Sequence, residues 1–369
     1  MPSTAATNSF DVPSPADGIR AGVRLTTRVF ARLALVPFAA FAFVALTSAP
    51  TWSGVGYVSC LAVMLAGLAT LPEPATSRPR RRGLTRGAAV GLFVIACLRV
   101  GFVRDGARLH VLDSEAPSGG SRIASRVVDE GDAALTTTRL LVGLGAVRDD
   151  ASELPAAMRA AYNEMRADHG AVPSPLVPTY LGLQGREAFD LVVIDPPAGA
   201  PRPRGALVFL HGFAGNFDLP CWQISRALAE LAVVTACPST RWVGDWGSSD
   251  GEAALRRTLE ILHARGIDRV VLAGLSNGGF GASVLAPRMK GSFVGLVLVS
   301  GATRDADDPG VPTLLIHGRR DGMVSIQGSR RYAEARGARL VELDAGHFAM
   351  LVRRREHDAA LASFVAGVL

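Results

Sequence analysis

The stretch Arg269-Val-Val-Leu-Ala-Gly274-Leu275-Ser276-Asn277-Gly278-Gly279 decides the fold. Five residues that read as a buried strand run straight into G-x-S-x-G, and a helical pattern, Gly278 to Met289, follows. A sharp strand-to-helix turn of this kind lifts a serine hydroxyl above the edge of a sheet. Gly274 and Gly278, two residues to either side, keep side chains from colliding in the bend. The bland alternative is a glycine-rich turn whose serine merely caps the helix. With 40 glycines in the chain the motif alone says little, so its place between strand and helix carries the weight.

Outward from this turn, the sequence after Pro178 alternates short apolar runs with helical stretches, which signals a largely parallel sheet wrapped by helices. Tyr180 to Leu183 and Phe189 to Ile194 read as a hairpin. Further strands are predicted at Ala206 to Leu210, Ala232 to Ala236, Arg269 to Ala273, Gly295 to Ser300, Thr313 to His317 and Arg339 to Leu343, eight in all. Helices are predicted at Cys221 to Leu231 and Glu252 to Arg265.

A serine hydroxyl near neutral pH needs a base, and the base needs a third group that fixes its tautomer and stabilises its charged form. Asp321 lies on the loop after strand Thr313 to His317, and His347 on the loop after Arg339 to Leu343. Ser276, Asp321 and His347 thus all follow C-terminal ends of strands, where an open α/β sheet forms its crevice. Asp344 is a rival acid, three residues before His347, and the strand-end loop favours Asp321 over it. His211, His263 and His317 read as structural, while His110, His169 and His357 have no companion motif. Trp242 and Trp246 either line a substrate cleft or anchor their own loop.

In the chain order Ser276, Asp321, His347, residues 178–369 resemble the α/β-hydrolase fold. Leu210-His211-Gly212-Phe213-Ala214-Gly215 is similar to that family's HG turn. The resemblance implies that the backbone N–H groups of Phe213 and Asn277 form an oxyanion hole. Phe213 and Ala214 depart from the glycines of the lipase HGGG form, which bears on the first donor. The paired Gly278-Gly279 resembles small esterases, dienelactone hydrolases and polyester depolymerases. The implied function is hydrolysis of carboxylic esters through an acyl-enzyme, with Ser276 attacking, His347 shuttling the proton and Asp321 orienting His347. A peptidase or amidase would use the same triad, and a non-catalytic hydrolase-like binding module is the alternative of another class. No cofactor or metal is implied, since Cys60, Cys97, Cys221 and Cys237 contain no C-x-x-C pair.

Ahead of this half the composition changes. The 369 residues carry a formal charge of +6 and are 49% apolar, more than an ordinary soluble protein. Residues 1–110 hold 12 arginines against four acidic residues, and the rest of the chain 27 basic against 29 acidic. A basic excess confined beside apolar runs excludes nucleic acid as a partner, which would need a basic patch on the folded domain. Leu33 to Ala49 and Gly54 to Leu71 carry no charge, and Gly87 to Val103 carries only Arg99. Three membrane spans are therefore predicted, at 33–49, 54–71 and 87–103, within a membrane region 29–104. Arg99 lies near one end of its run, where its guanidinium reaches the interface by snorkelling. Buried helices of a soluble domain would keep a polar face, and a signal peptide would leave two further apolar runs unexplained.

Arg20, Arg24, Arg28 and Arg32 precede the first span. Arg78, Arg80, Arg81, Arg82 and Arg86 lie between the second and third, while Pro50 to Ser53 holds no charge. Short basic loops stay in the cytoplasm, so the tail 1–28 is expected inside and everything after about Arg104 outside, at the periplasmic face of the inner membrane. Residues 105–131 read as a polar Gly/Ser-containing linker. Helices Asp132 to Val147 and Ser152 to His169 follow, Ser152 as N-cap, and complete a segment 105–177 ahead of the hydrolase domain 178–369. Cys221 and Cys237 could bridge in an oxidising compartment, provided their Cα atoms lie within ~7 Å. The Asp-, Gly- and Pro-rich segment 301–312 is too short for a lid, so an open cleft is expected unless the two helices at 132–169 fold back over it. An open cleft beside a bilayer suits a bulky or lipid-borne ester.

Overall fold

The structure is a computed structural model that describes residues 15–70, 79–215, 217–241 and 243–369. The start of the predicted tail, the segment 71–78 with Arg78, and Trp242 lie outside the described residues.

Three helices come first: α1 (Pro15–Thr47), α2 (Trp52–Ala69) and α3 (Pro79–Phe102). From Gly22 to Thr47 in α1, throughout α2, and from Gly83 to Phe102 in α3, each is long and apolar enough to cross a bilayer. α2 packs on both others. A Cβ on Gly56 would come 2.7 Å from Ile95 Cδ1, and one on Gly91 2.8 Å from Cys60 Sγ, so small residues set the close crossing of α2 and α3.

Eight strands form one sheet: β1 (Leu109–Asp113), β2 (Asp190–Ile194), β3 (Gly205–Leu210), β4 (Val233–Pro238), β5 (Val270–Leu275), β6 (Gly295–Val299), β7 (Thr313–Gly318) and β8 (Arg339–Leu343). They lie in the order β1-β2-β4-β3-β5-β6-β7-β8. β2 runs antiparallel to both its neighbours, and all other pairs are parallel. That order and those senses define an α/β-hydrolase sheet, the fold class that the elbow sequence implied. Alternation along β3 divides two cores. Leu207 and Phe209 face α5 (Leu154–His169), α7 (Asp218–Ala227) and α12 (Arg354–Val368), which follow α4 (Glu130–Gly143), α6 (Leu176–Tyr180) and α11 (Ala349–Val352) in turn. Ala206, Val208 and Leu210 face α8 (Ser249–Ala264) and α9 (Asn277–Arg288), and α10 (Ile326–Arg336) lies between β7 and β8. Each fully buried leucine or phenylalanine here contributes about 1.5–3 kcal/mol.

The expected hairpin is corrected. Tyr180 ends the short helix α6, and the partner of β2 is β1, in register Leu109↔Ile194 to Asp113↔Asp190. Residues 105–131 are therefore not a plain linker, and the sheet starts well before residue 178. β1 escaped notice because its five residues alternate only partly and sit between polar flanks. The two predicted helices form as α4 and α5, with shifted starts. Asp129 caps α4 by accepting from Asp132 N, whereas Ser152 does not cap α5, which begins after Glu153.

The helical bundle is joined to the sheet through α4. Thr51, in the α1–α2 turn, donates from N and Oγ1 to the Asp132 carboxylate at 2.9 and 2.6 Å. Arg139 Nη1 reaches Thr47 Oγ1 at 3.1 Å and Ser48 Oγ at 3.4 Å. Arg99 does not snorkel. Its side chain is buried, donating to Arg126 O at 3.1 Å and Ser53 Oγ at 3.1 Å, with Asp129 at 3.8 Å. The one charge of the run Gly87 to Val103 thus meets polar groups of the following segment, which lowers the cost of burying it.

Candidate active site

Ser276 occupies the bend between β5 and α9 with φ 53° and ψ −115°, a left-handed conformation that costs a non-glycine residue of order 1–3 kcal/mol. Two bonds hold it there: Ser276 N donates to Val299 O at 2.8 Å, and Phe280 N to Ser276 O at 2.9 Å. The flanking glycines are steric requirements. A Cβ on Gly278 would collide with Leu210 O, and one on Gly274 with Gly278 O. Gly279 is equally tight, against Gly301 O, which accounts for the second glycine of the pair.

Asp321 and His347 meet. His347 Nδ1 lies 2.7 Å from Asp321 Oδ2, and both side chains are almost fully buried. The other carboxylate oxygen accepts from Met323 N at 2.9 Å and Val324 N at 2.8 Å, so the acid is fixed at both ends. A second imidazole, unforeseen in this role, also donates: His317 Nε2 is 3.1 Å from Asp321 Oδ2 and 3.0 Å from Val324 O. Two acceptors at Nε2 require the proton there, leaving Nδ1 to accept from Ser329 Oγ at 2.7 Å. Burial alone would raise the Asp321 carboxyl, but the bonds from His317 and His347 outweigh it and hold it well below the usual carboxylate range. The position of His317, four residues before Asp321 at the end of β7, was the available signal. Asp344, the rival acid, is exposed and pairs with Arg320 at 3.2 Å.

His211 locks the HG turn. It is buried, donating from Nδ1 to Gly212 O at 2.8 Å and accepting Thr240 N at Nε2 at 3.2 Å. Burial lowers its pKa to about 4, so it is neutral at pH 7. A Cβ on Gly212 would come 3.4 Å from Ser276 Cβ, which sets this turn directly against the elbow. Phe213 follows it at the surface, and Asn277 is the first residue of α9, where backbone N–H groups lack intrahelical partners. Trp246 does not line a cleft. It is fully buried, donating from Nε1 to His211 O at 2.9 Å, so it anchors its loop behind the turn.

Ser276 and His347 line one cavity of about 690 Å³ together with Gly212 and Phe213. They form no hydrogen bond to each other among the described residues; they face the same space. None of residues 295–315 lines this cavity among the described residues. Its outer wall comes from Ala134, Thr138 and Leu141 of α4, Met158 of α5, and Val177 and Leu181 at α6. The two helices do fold back over the site, the condition under which the cleft would not be open.

The same segment grips the acid and histidine loops. Asp150, buried, accepts Gly346 N at 2.7 Å and Phe348 N at 2.9 Å, one on each side of His347. Asp149 accepts Gly322 N at 2.9 Å, next to Asp321. A Cβ on Gly346 would come 2.6 Å from Asp149 Cβ, so glycine is needed for this approach. Glu130, at the start of α4, is buried and accepts the N–H groups of Phe217, Asp218 and Leu219 at 3.1–3.3 Å. Burial pushes its carboxyl up. Nothing in the spacing of these acids pointed to the site, because their partners are backbone amides far along the chain. Cys221 and Cys237 are bridged, with Cα atoms 6.1 Å apart.

No family model matches the sequence, and no curated protein matches it. Solved structures do resemble it. XC6422 from Xanthomonas campestris, described as an a/b serine hydrolase without lid, is 23% identical with a TM-score of 0.43, over 50% of this chain and 90% of its own. Est1E from Butyrivibrio proteoclasticus is 16% identical with a TM-score of 0.40, over 49% and 94%. An esterase domain from a Rhodothermus marinus protein is 17% identical with a TM-score of 0.39, over 49% and 92%.

Proposed function

We propose that this chain is a membrane-anchored serine hydrolase that cleaves carboxylic esters, with its hydrolase domain outside the cytoplasm. The observation that carries the reading is the 2.7 Å bond from Asp321 to His347, which lines the cavity that Ser276 enters from a strained elbow. With Nδ1–H held by Asp321, His347 offers Nε2 as the base. Ser276 Oγ adds to the ester carbonyl carbon while its proton passes to Nε2, and ionised Asp321 stabilises the imidazolium. The N–H groups of Phe213 and Asn277 receive the oxyanion, assisted by the positive end of α9. The bond to the alcohol oxygen then breaks as His347 protonates that oxygen, leaving an acyl-enzyme. Water repeats the sequence: its oxygen bonds to the acyl carbon, its proton goes to Nε2, and Ser276 recovers a proton as the acid departs.

The apolar lining supports an acyl ester over a peptide, whose backbone N–H and C=O groups would lose their hydrogen bonds there. Two features support the outside placement. The domain packs on the α1–α2 turn and on Arg99 near the end of α3, away from the arginine-bearing segments that stay in the cytoplasm. The Cys221–Cys237 bridge belongs to an oxidising compartment. The test is kinetic, with a panel of esters and matched amides on the full chain. Ester turnover is expected, falling by at least about a thousandfold in Ser276→Ala. Amides cleaved faster than their esters, or a Ser276→Ala variant keeping more than about a tenth of the activity, would overturn the reading.

A further inference from the structure

One helix serves both the membrane bundle and the cavity. Asp132 and Arg139, seven residues apart on α4, bond to Thr51 and to Thr47 and Ser48, the turn where α1 leaves the bilayer and α2 enters it. Two anchor points separated by about 10 Å of helix tie α4 to the turn that joins α1 and α2. Its adjacent face, with Ala134, Thr138 and Leu141, is the cavity wall. Five large apolar or aromatic lining residues are also exposed and so ring the mouth: Leu141, Tyr180, Leu181, Phe213 and Met323. Tyr180 Oη donates to Ala214 O at 3.1 Å, joining α6 to the HG turn at this opening. The apolar surface continues past the mouth to Leu144, 80% exposed, and Leu183, 50% exposed. A soluble surface rarely leaves so many large apolar side chains bare around one opening.

We propose that this rim sits in the headgroup region of the bilayer and that the cavity draws a long-chain acyl ester directly from the lipid. The inference rests on the ester-hydrolase reading and adds where the substrate comes from. A mouth at that level lets the acyl chain pass from lipid to an apolar cavity without the penalty of wetting each methylene. It also gives a reason for docking the helical bundle, through α1 and the α1–α2 turn, on the helix that forms the wall.

The full chain, reconstituted in diether phosphatidylcholine vesicles, is given two esters with the same leaving group: 4-methylumbelliferyl oleate, which partitions into the vesicle, and soluble 4-methylumbelliferyl butyrate. The proposal expects Leu144→Glu and Leu183→Glu, each outside the cavity lining, to lower kcat/KM for the oleate by about tenfold while butyrate stays within about twofold. Unchanged oleate turnover, or an equal loss on both esters, would overturn it. A Leu144→Glu chain that loses self-association yet keeps its oleate rate would assign the rim to a second copy, and would overturn it as well. Butyrate cleaved without any oleate turnover contradicts the loading route alone, whereas neither ester cleaved by the unaltered chain removes the hydrolase reading beneath it.

Discussion

Ser276, Asp321 and His347 stand on loops that follow β5, β7 and β8, whereas Asp149, Asp150, Leu141 and Leu181 come from a segment that precedes β2. The first set holds the groups that would react, with Ser276 and His347 at the cavity and Asp321 behind His347; the second walls the cavity and grips the loops that carry them. Residues of the first set are recognisable because each is bound to a local conformation, a strand end or a glycine-framed bend. Residues of the second work only through partners up to 198 positions away, as Asp150 does with Phe348 N. Chemistry on the one side is local, and on the other side it is made by packing.

That contrast can be broken at its strongest point first. Ser276→Ala and His347→Ala are each expected to remove about three to four orders of magnitude of kcat with folding intact, and Asp321→Asn a comparable or somewhat smaller amount, by steady-state assay. The Cys221–Cys237 bridge belongs to the first region's stability and not to its reaction. Cys221→Ser with Cys237→Ser should cost ~3 kcal/mol in denaturant unfolding while kcat changes little. His211 sharpens the same boundary through pH. Its pKa falls from 6.5 unfolded to about 4 folded, so between those values the unfolded chain binds the extra proton and stability declines as pH falls. At about pH 5 this amounts to ~2 kcal/mol, and a His211→Asn chain should show a correspondingly flatter stability profile across that window.

The second region should have the smallest but most telling effect. Asp150→Ala removes both acceptors beside His347, and is expected to lower kcat about tenfold, with little change in KM and a shifted basic or acidic limb of the pH–rate profile. Asp149→Ala, at an exposed position, guards against misfolding as the cause and should give a weaker loss in the same direction. If both variants change only thermal stability, the segment is a scaffold and the comparison fails.

Much of the first region was legible. The elbow, its glycines and the order Ser276, Asp321, His347 could be read because strained turns demand particular residues at fixed offsets. The spans were legible from uncharged length. Harder were β1, a short strand between polar flanks, and Trp246, whose burial behind His211 depends on tertiary packing. Arg99 read as a snorkelling charge, because a sequence carries no sign that Arg126 O and Ser53 Oγ wait beside it. The grip of Asp150 on two backbone amides leaves no mark in the sequence, since any residue but proline offers an N–H.

The proposed reaction depends above all on Ser276 being a nucleophile activated by His347 and Asp321. Its most direct test is intact-protein mass spectrometry of the full chain after exposure to a fluorophosphonate. A single adduct is expected, mapped to Ser276, absent in Ser276→Ala and formed far more slowly in His347→Ala. Labelling at another serine, or at an undiminished rate in the His347 variant, would contradict it.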